Sequence, residues 1–285
     1  MISFYLAAAL SIFTYVNDPV LVMREEPNSQ SEVASDAFFS EPLEILEEAG
    51  EWIKVKNPLD NYQGWIKKGS GIIQRQTPYA SDSSSQVAKI NRCRAHLYAV
   101  QDTIYGPLLT LPFESQLEVL PKQIDSSSRW IPVRLPCGRE AYVQNGDVKL
   151  SSHLLDRQEM VTLSRRFLDL PYTWGGRTSF GYDCSGFVQM LYRQMGIKLP
   201  RHSGDQCKWE GLEDISFDQL IPGDLIFFGL AEDKVRHVGM YIGDDQFIHA
   251  TVAENAPFIH ISNLNDPEWK GIGRFAYRAA KTLKN

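Results

Sequence analysis

One stretch of the chain joins a thiol to the start of an expected helix, and two histidines follow it farther along. The thiol is that of Cys184, in the run Asp-Cys-Ser-Gly at 183–186, and the imidazoles are those of His237 and His249. A helix N-terminus and a nearby imidazole both favour the thiolate, which is the nucleophilic form of cysteine. The pattern predicts a cysteine nucleophile with a lowered thiol pKa and with its own backbone N–H as an oxyanion donor.

A β-hairpin is expected to bring the two histidines onto one face. The run Gly-Asp-Asp at 243–245 separates two apolar segments, and a three-residue loop centred on Asp244 would pair Gly239 with His249. His237 then shares a face with His249, so one ring can act as a base and the other can orient it. The residues alone leave other possibilities open, namely an inert buried cysteine, a structural His249, or a zinc site that lacks an evident fourth ligand.

The spacing of apolar residues after position 155 predicts helices followed by a sheet. An amphipathic helix is expected over 155–170 and a second over 184–195, where the glycine at 196 would end it. Strands are expected at 225–228, 238–242, 246–250 and 273–277. Helices that precede a run of strands are typical of the α+β class.

The first half of the chain contains a degenerate internal repeat. The runs LEIL, WIKV and GWI within residues 17–75 recur as LEVL, WIPV and AYV within residues 89–151. Short strands at this spacing are typical of small β barrels, and the Ser-rich segment 76–88 reads as a linker between two copies.

Composition and charge narrow the class of protein. The 285 residues are 43% hydrophobic and carry a net charge of −6, which argues against nucleic acid or an anionic membrane surface as the main partner. The four cysteines show no CxxC spacing. Residues 1–16 form an apolar run that is either a signal segment or an N-terminal strand, although no basic residue precedes it and no small-residue cleavage site follows it. No other stretch is apolar enough to cross a membrane, so no stable membrane span is expected.

The second half of the chain resembles the NlpC-type, papain-like cell-wall cysteine peptidases, and the first half is similar to bacterial SH3-like domains. Six motifs in order carry the first resemblance: PYTWGG at 171–176, DCSGF at 183–187, LPR at 199–201, PGDLIFF at 222–228, HVG at 237–239 and IHA at 248–250. The resemblance implies an α+β chain in which two small SH3-like barrels, 17–75 and 89–151, precede a papain-like catalytic domain at 155–285.

The resemblance also implies a role for each site residue. Cys184 would be the nucleophile, His237 the base, His249 its orienting partner, and Tyr172 a hydroxyl beside the oxyanion. Asp183 would bind the amine of a substrate that has a free N-terminal L-alanine. Further contacts would come from Ser185, Ser203, Tyr62 of the first barrel, His202, which replaces an acidic residue common among relatives, and Arg201, which would pair with either substrate or protein.

The implied reaction is hydrolysis of the bond between γ-D-glutamate and a diamino acid, diaminopimelate or lysine, in bacterial peptidoglycan stem peptides, without a cofactor or metal. The alternatives left open are an N-acetylmuramoyl-L-alanine amidase or acyltransferase on the same fold, and a catalytically silent protein that binds wall peptides. The cell envelope is favoured as the location, with recycling of wall fragments in the cytoplasm as the other possibility.

Overall fold

The structure is a computed structural model that describes residues 12–80, 86–120, 128–151 and 153–284. Its first part is an antiparallel sheet of seven strands in the order β3-β2-β6-β5-β4-β1-β7, with β1 Phe13–Val16, β2 Val20–Arg24, β3 Val33–Phe38, β4 Pro42–Ala49, β5 Trp52–Lys56, β6 Gln63–Lys67 and β7 Ile72–Arg75. The sheet closes around a core that includes Val16, Val55 and Ile66.

The first barrel begins ahead of the boundary expected at residue 17. Strand β1 pairs with β4 and β7, and Tyr15 and Val16 are buried, so the end of the N-terminal apolar run is a barrel strand. Residues 1–11 of that run, where a signal segment was considered, lie outside the described residues.

The second sheet repeats the path of the first. Its strands are β8 Val87–Ile90, β9 Arg94–Tyr98, β10 Leu109–Pro112, β11 Gln116–Val119, β12 Trp130–Arg134, β13 Glu140–Gln144 and β14 Val148–Lys149. Their order, β10-β9-β13-β12-β11-β8-β14, is that of the first sheet with each strand moved seven places along the chain. The internal repeat predicted from the sequence is thus a repeat of strand topology, in which the two sheets follow the same path.

The expected linker 76–88 is partly structured. Tyr79 is buried between the barrels, where its hydroxyl donates to the Arg134 carbonyl at 2.7 Å, and β8 already begins at Val87. The Ser-rich composition of this segment does not reveal the anchoring tyrosine. Residues 81–85, at its centre, lie outside the described residues.

The third part carries the site on helices and an antiparallel sheet. The helices are α1 Arg157–Ser164, α2 Cys184–Gln194 and α3 Ser203–Cys207. A small ribbon joins β15 Arg177–Thr178 to β16 Gly181–Tyr182, and the main sheet has the order β17-β22-β18-β19-β20-β21, with β17 Leu212–Ile215, β18 Leu225–Gly229, β19 Val235–Gly243, β20 Gln246–Thr251, β21 Phe258–Asn263 and β22 Tyr277–Leu283.

Two expected elements in this part are shorter or displaced. Helix α1 starts only after Asp156, which forms a capping box with Glu159, and it continues as a 3₁₀ turn over Arg165–Phe167. The last expected strand is a 3₁₀ turn over Gly273–Phe275, and β22 follows it. These boundaries are set by capping and tertiary pairing, which apolar periodicity does not report.

Helix α2 packs its apolar face on the main sheet. Phe187, Val188 and Leu191 are fully buried in the same core as Val238 and Ile248 of β19 and β20. The helix ends where the sequence indicated, because Gly196 adopts a left-handed φ of 81° just beyond it. This packing holds the N-terminus of α2 against the hairpin that carries the two histidines.

The hairpin has the expected register but a different turn. Met240 pairs with Ile248, which is the register that aligns Gly239 with His249, whereas Gly243 pairs with Gln246 across a two-residue turn. Asp244 and Asp245 both have positive φ, a conformation that Asp tolerates, and a bulge between Tyr241 and Gly243 takes up the remaining residue.

In the part of the chain that the structure describes, no helix is long and apolar enough to span a membrane. All four cysteines lie in that part, and each is a free thiol.

Candidate active site

Helix α2 begins at Cys184 because Asp183 caps it. Asp183 has extended backbone dihedrals, and its Oδ1 accepts a hydrogen bond from the Gly186 N–H at 2.7 Å. A Cβ on Gly186 would lie 2.2 Å from the Gly176 carbonyl oxygen, so the close backbone approach at this point requires glycine. The sulfur is therefore held in the first turn of a helix, where the backbone N–H groups carry partial positive charge.

The environment of the thiol favours its neutral form. Cys184 is only 8% exposed, and this burial, together with the Asp183 carboxylate, raises the pKa of its thiol to about 12. Backbone N–H groups of Val238 and Ser185 act in the opposite direction but do not prevail. The structure thus differs from the expected lowered pKa, because sequence does not report burial. A base must take the proton when this sulfur attacks.

The two histidines form a hydrogen-bonded pair beside the thiol. His237 Nε2 lies 2.8 Å from His249 Nδ1, and His249 Nε2 lies 3.0 Å from the Ser262 hydroxyl on β21. His237 directly precedes Val238, whose backbone faces the Cys184 sulfur. The relay therefore runs from the strand opposite the thiol across β20 to β21. Sequence reasoning did not identify Ser262, which no motif or spacing distinguishes from other strand serines.

His249 is suited to orient His237 while its own ring stays neutral. It is fully buried, and burial followed by the proximity of His237 and His260 holds its pKa well below the usual histidine value. Two proton arrangements fit these contacts, because the Ser262 hydroxyl can either accept from or donate to His249 Nε2. In the first arrangement a neutral His249 accepts at Nδ1 from His237 Nε2. A base at Nδ1 of His237 requires this first arrangement.

Aromatic rings enclose the histidine pair. Trp269 is fully buried, and its ring centroid lies 5.2 Å from that of His237 and 4.9 Å from that of His249. Phe247 packs on His249 at 4.5 Å, and a Cβ on Gly239 would lie 2.5 Å from this Phe247 ring. The missing side chain at Gly239 therefore gives room to a ring that fixes His249. Sequence reasoning did not single out Trp269.

Tyr172 is half-buried near Cys184. Burial, followed by the nearby Cys184 sulfur and Asp183 carboxylate, raises the pKa of its phenol. It therefore remains a hydrogen-bond donor at neutral pH. Its backbone N–H donates to the Pro257 carbonyl at 2.8 Å, and this bond ties its segment to the loop before β21.

Protein groups occupy both oxygens of the Asp183 carboxylate. Arg201 donates from Nη1 to Oδ1 at 3.0 Å and from Nη2 to Oδ2 at 2.5 Å, and the Ser185 hydroxyl donates to Oδ1 at 3.0 Å. Arg201 is 2% exposed, and its Nε donates to the Ser35 hydroxyl of the first barrel at 2.8 Å. Asp183, Ser185 and Arg201 are thus assembled as a buried network rather than as open contact groups.

A second group of residues links the first barrel to the site. His202 Nε2 lies 2.8 Å from the Tyr62 hydroxyl, which donates to Glu25 Oε1 at 3.2 Å. Burial and the Arg201 guanidinium lower the pKa of His202, so its ring is neutral at pH 7. Ser203 is buried at the first residue of α3. Glu25 was missed because nothing local in the sequence relates it to residues in another domain.

A buried cluster around Arg177 fixes this barrel beside the site. The guanidinium is 2% exposed and bonds both oxygens of Glu41, at 3.1 and 3.2 Å. It also lies 3.5 Å from Asp60 Oδ2, which accepts from Gln189 of α2 at 3.1 Å. These charges are desolvated where the first barrel meets the third part of the chain, so an arrangement that left one of them buried without its partner would be strongly unfavourable.

Comparison with protein families gives two matches. Residues 169–273 match the NlpC/P60 family, and residues 23–70 match the Sh3 domain of bacterial dipeptidyl-peptidases. The first match contains the thiol and both histidines, and the second contains Glu25 and Tyr62.

Individual relatives resemble the chain over different lengths. A γ-D-glutamyl-L-lysine dipeptidyl-peptidase of Bacillus cereus is 28% identical over 263 residues, which cover 86% of this chain and 76% of that protein. A murein DD-endopeptidase/murein LD-carboxypeptidase of Escherichia coli is 39% identical over 132 residues, 46% of this chain and 63% of that protein.

A solved structure shares the whole fold. The crystal structure of an NlpC/P60 family protein from Bacillus cereus superposes with a TM-score of 0.80 at 22% identity and covers 94% of this chain and 98% of that one. At this identity the likeness concerns the fold, namely an α+β catalytic domain preceded by SH3-like barrels.

Proposed function

We propose that this chain, a cysteine peptidase of peptidoglycan with an NlpC/P60 catalytic domain, hydrolyses the γ-D-glutamyl–diamino acid bond of stem peptides. The observation that carries the catalytic part is the 2.8 Å bond between His237 and His249 beside the N-terminus of α2. The choice of bond is supported by the relatives named for γ-D-glutamyl-L-lysine cleavage, which match the chain across barrels as well as catalytic domain.

In the first step the Cys184 sulfur attacks the γ-carbonyl carbon of D-glutamate. The thiol proton passes to Nδ1 of His237, while His249 accepts the Nε2 hydrogen bond and keeps the ring in place. The carbonyl oxygen becomes an anion that the Cys184 N–H and the Tyr172 hydroxyl can stabilise. Among the described residues, no acceptor is bonded to that N–H.

The tetrahedral intermediate then collapses to a thioester. The C–N bond breaks, and the amine of the diamino acid leaves with the proton held by His237. A water molecule gives its proton to the same nitrogen and attacks the thioester, which releases the γ-carboxylate of the product and returns the thiol. The high thiol pKa suits this sequence, since the proton moves as the sulfur attacks.

We propose that Glu25, rather than Asp183, is the carboxylate that meets the substrate's free amine. Asp183 already accepts from Arg201, Ser185 and Gly186. Glu25 is exposed, and its side chain bonds only Tyr62 among the described residues, in a group that reaches the catalytic domain through His202. A carboxylate opposite an α-ammonium group would favour fragments with a free N-terminal L-alanine.

The test is digestion of the tripeptide L-Ala-γ-D-Glu-diaminopimelate by the full chain, read by mass spectrometry. The expected products are the dipeptide L-Ala-γ-D-Glu and free diaminopimelate, and Cys184→Ser abolishes both. The lysine-containing tripeptide, digested in parallel, identifies the preferred diamino acid. Muropeptides that carry D-alanine and muramic acid are digested alongside. An intact tripeptide, together with a cut next to D-alanine or release of L-alanine from muramic acid in these muropeptides, would overturn the proposed bond in favour of an endopeptidase of the E. coli type or an amidase.

The preference for a free amine is tested with an acetylated tripeptide and two glutamate variants. N-acetylation of the tripeptide is expected to lower kcat/KM about tenfold or more, because an exposed carboxylate loses a charged partner. Glu25→Gln should remove most of that discrimination, whereas Glu26→Gln, one residue away and also exposed, should keep it. Equal rates for acetylated and free tripeptide on the unaltered chain would overturn the assignment of the amine site.

Small soluble fragments are the proposed natural substrates, and the cell envelope is the proposed location. Fractionation of cells that express the full chain tests the location, since recycling would instead place the protein in the cytoplasm.

A further inference from the structure

A cavity of about 480 Å³ lies where the two barrels meet the catalytic domain. It is lined by apolar side chains from all three parts, among them Phe38, Ile90, Phe113, Leu155 and Leu199. Its volume falls in the range of small-molecule sites. Helix α2 contributes Gln189, Arg193 and Gln194 to one wall. At a rise of 1.5 Å per residue these positions lie about 7 to 15 Å along the helix from Cys184, and the cavity lining does not include the thiol or the histidine pair, so this cavity is distinct from the catalytic site.

The carboxylates that line the cavity are paired with two arginines. Glu114 pairs with Arg193 at 2.5 Å, and Glu41 pairs with Arg177 at 3.1 Å. Asp60 lies 3.5 Å from the same Arg177, so the three carboxylates exceed the two guanidinium groups by one negative charge. Three lysines against this one charge leave the cavity lining positively charged.

Three exposed lysines line the same cavity, and none of them is paired with a carboxylate in the described part of the protein. Among the described residues, Lys89, Lys149 and Lys198 form no ion pair and no side-chain hydrogen bond. Lys89 and Lys149 are also direct cross-strand partners, on β8 and β14. Like charges placed opposite each other on antiparallel strands destabilise the pairing, so the second barrel carries an electrostatic cost at this wall.

We infer that the cavity binds a small organic anion, a molecule with a phosphate or carboxylate end for the lysines and an apolar body for the aromatic and aliphatic walls. An anionic group between Lys89 and Lys149 relieves their repulsion, and Lys198 adds a positive charge to the same cavity from the catalytic domain. Lysine suits this role because its ammonium group is a compact positive charge that can donate hydrogen bonds to the oxygens of either a phosphate or a carboxylate. Such a ligand would hold the second barrel to the end of α2 remote from the thiol.

The test uses 1-naphthyl phosphate as the probe, which joins a dianion to an apolar ring system. Calorimetric titration of the full chain should give one site, with binding at least tenfold weaker for inorganic phosphate and for 1-naphthol. Lys149→Gln and Lys198→Gln should each weaken 1-naphthyl phosphate binding about fivefold, a typical loss for one partly exposed ion pair. Lys270→Gln, an exposed lysine outside the cavity, should leave it unchanged.

Two further readouts distinguish a ligand site in this cavity from binding of the probe at the catalytic centre. Without ligand, Lys149→Gln should raise the melting temperature, because it removes the repulsion between Lys149 and Lys89. Lys198 lies outside β8 and β14, so Lys198→Gln tests binding without altering this strand pair. Cys184→Ser should bind the probe as tightly as the unaltered chain. The inference is overturned by equal binding of 1-naphthol, by unchanged affinity in both lysine variants, or by weaker binding to Cys184→Ser, which would locate the probe at the catalytic centre.

Discussion

Asp183, one residue before Cys184, forms a two-point ion pair with Arg201, with Oδ2 and Nη2 2.5 Å apart. Both side chains are buried, and the carboxylate also caps α2. The pair therefore does two things at once: it fixes the first turn of the helix, and it sets a negative charge beside the Cys184 sulfur. The resemblance to cell-wall peptidases leads one to expect Asp183 at the substrate amine, but in this structure its Oδ1 accepts three hydrogen bonds and its Oδ2 one, all from protein groups.

Removing that charge is expected to destabilise the fold and to make the thiol more reactive. Asn in place of Asp183 can still cap the helix, but it leaves the Arg201 guanidinium buried without its counter-charge, at a cost of about 3 kcal/mol. Because the Asp183 carboxylate contributes to the raised pKa of Cys184, the same change lowers that pKa. Denaturant unfolding and iodoacetamide alkylation at pH 8 measure the two effects.

The control for this variant is an exposed pair of the same chemistry. Asp214 lies 2.8 Å from Lys281 and is 78% exposed, so Asp214→Asn should cost less than about 1 kcal/mol and leave the alkylation rate of Cys184, measured by peptide mapping, unchanged. An Asp183→Asn chain as stable as the unaltered one would mean that the pair does not hold the helix.

The pH dependence of alkylation is expected to rise without an acidic plateau. With a thiol pKa of about 12, the reactive thiolate fraction of Cys184 grows roughly tenfold per pH unit from pH 6 to pH 10. Iodoacetamide rates measured over this range, with the background of Cys184→Ser subtracted for the other thiols, give the profile. A plateau that begins near pH 5 would indicate a preformed thiolate–imidazolium pair instead.

The features that could be predicted from the sequence are those that short-range patterns of residues determine. Helix α2 lies within one residue of its expected bounds, because Asp183 and Gly196 mark its ends, and the histidine hairpin has the expected register, because apolar alternation allows no slip. Relationships across domains had no local signal: the burial of Cys184, the contact of Glu25 with Tyr62, and the bond from His249 to Ser262 all arise from tertiary packing. The pKa of the thiol follows from that packing and could not be read from spacing.

The proposed orienting role of His249 predicts graded losses of activity. His249→Asn retains a side-chain oxygen that can accept from His237 Nε2, whereas His249→Ala retains no acceptor and leaves a space beside Trp269. We expect kcat to fall about tenfold for Asn and about 10³-fold for Ala, with KM changing less, since the base is misoriented rather than the substrate lost. Steady-state kinetics on the tripeptide give the comparison.

Ser262 provides a milder test of the same relay. Ser262→Ala removes the group that fixes the His249 tautomer, at about 1 kcal/mol, which corresponds to roughly a fivefold lower kcat. Ser262→Thr keeps the hydroxyl and should restore most of the rate. If both variants lose activity equally, the effect comes from packing on β21 and not from the hydrogen bond.

The close approach at Gly186 predicts a position-specific intolerance of alanine. A Cβ there would meet the Gly176 carbonyl oxygen at 2.2 Å, and that oxygen also accepts the Asp183 N–H, so neither side can move without disturbing the helix cap. Gly186→Ala should therefore lower the free energy of unfolding by about 2 kcal/mol or more and displace the thiol from His237, with a loss of kcat. Gly146→Ala is the matched control, because nothing lies within 4 Å of its Cβ and its φ is ordinary. Unfolding curves and kcat for the two variants test this, and equal stability of both would refute the steric argument.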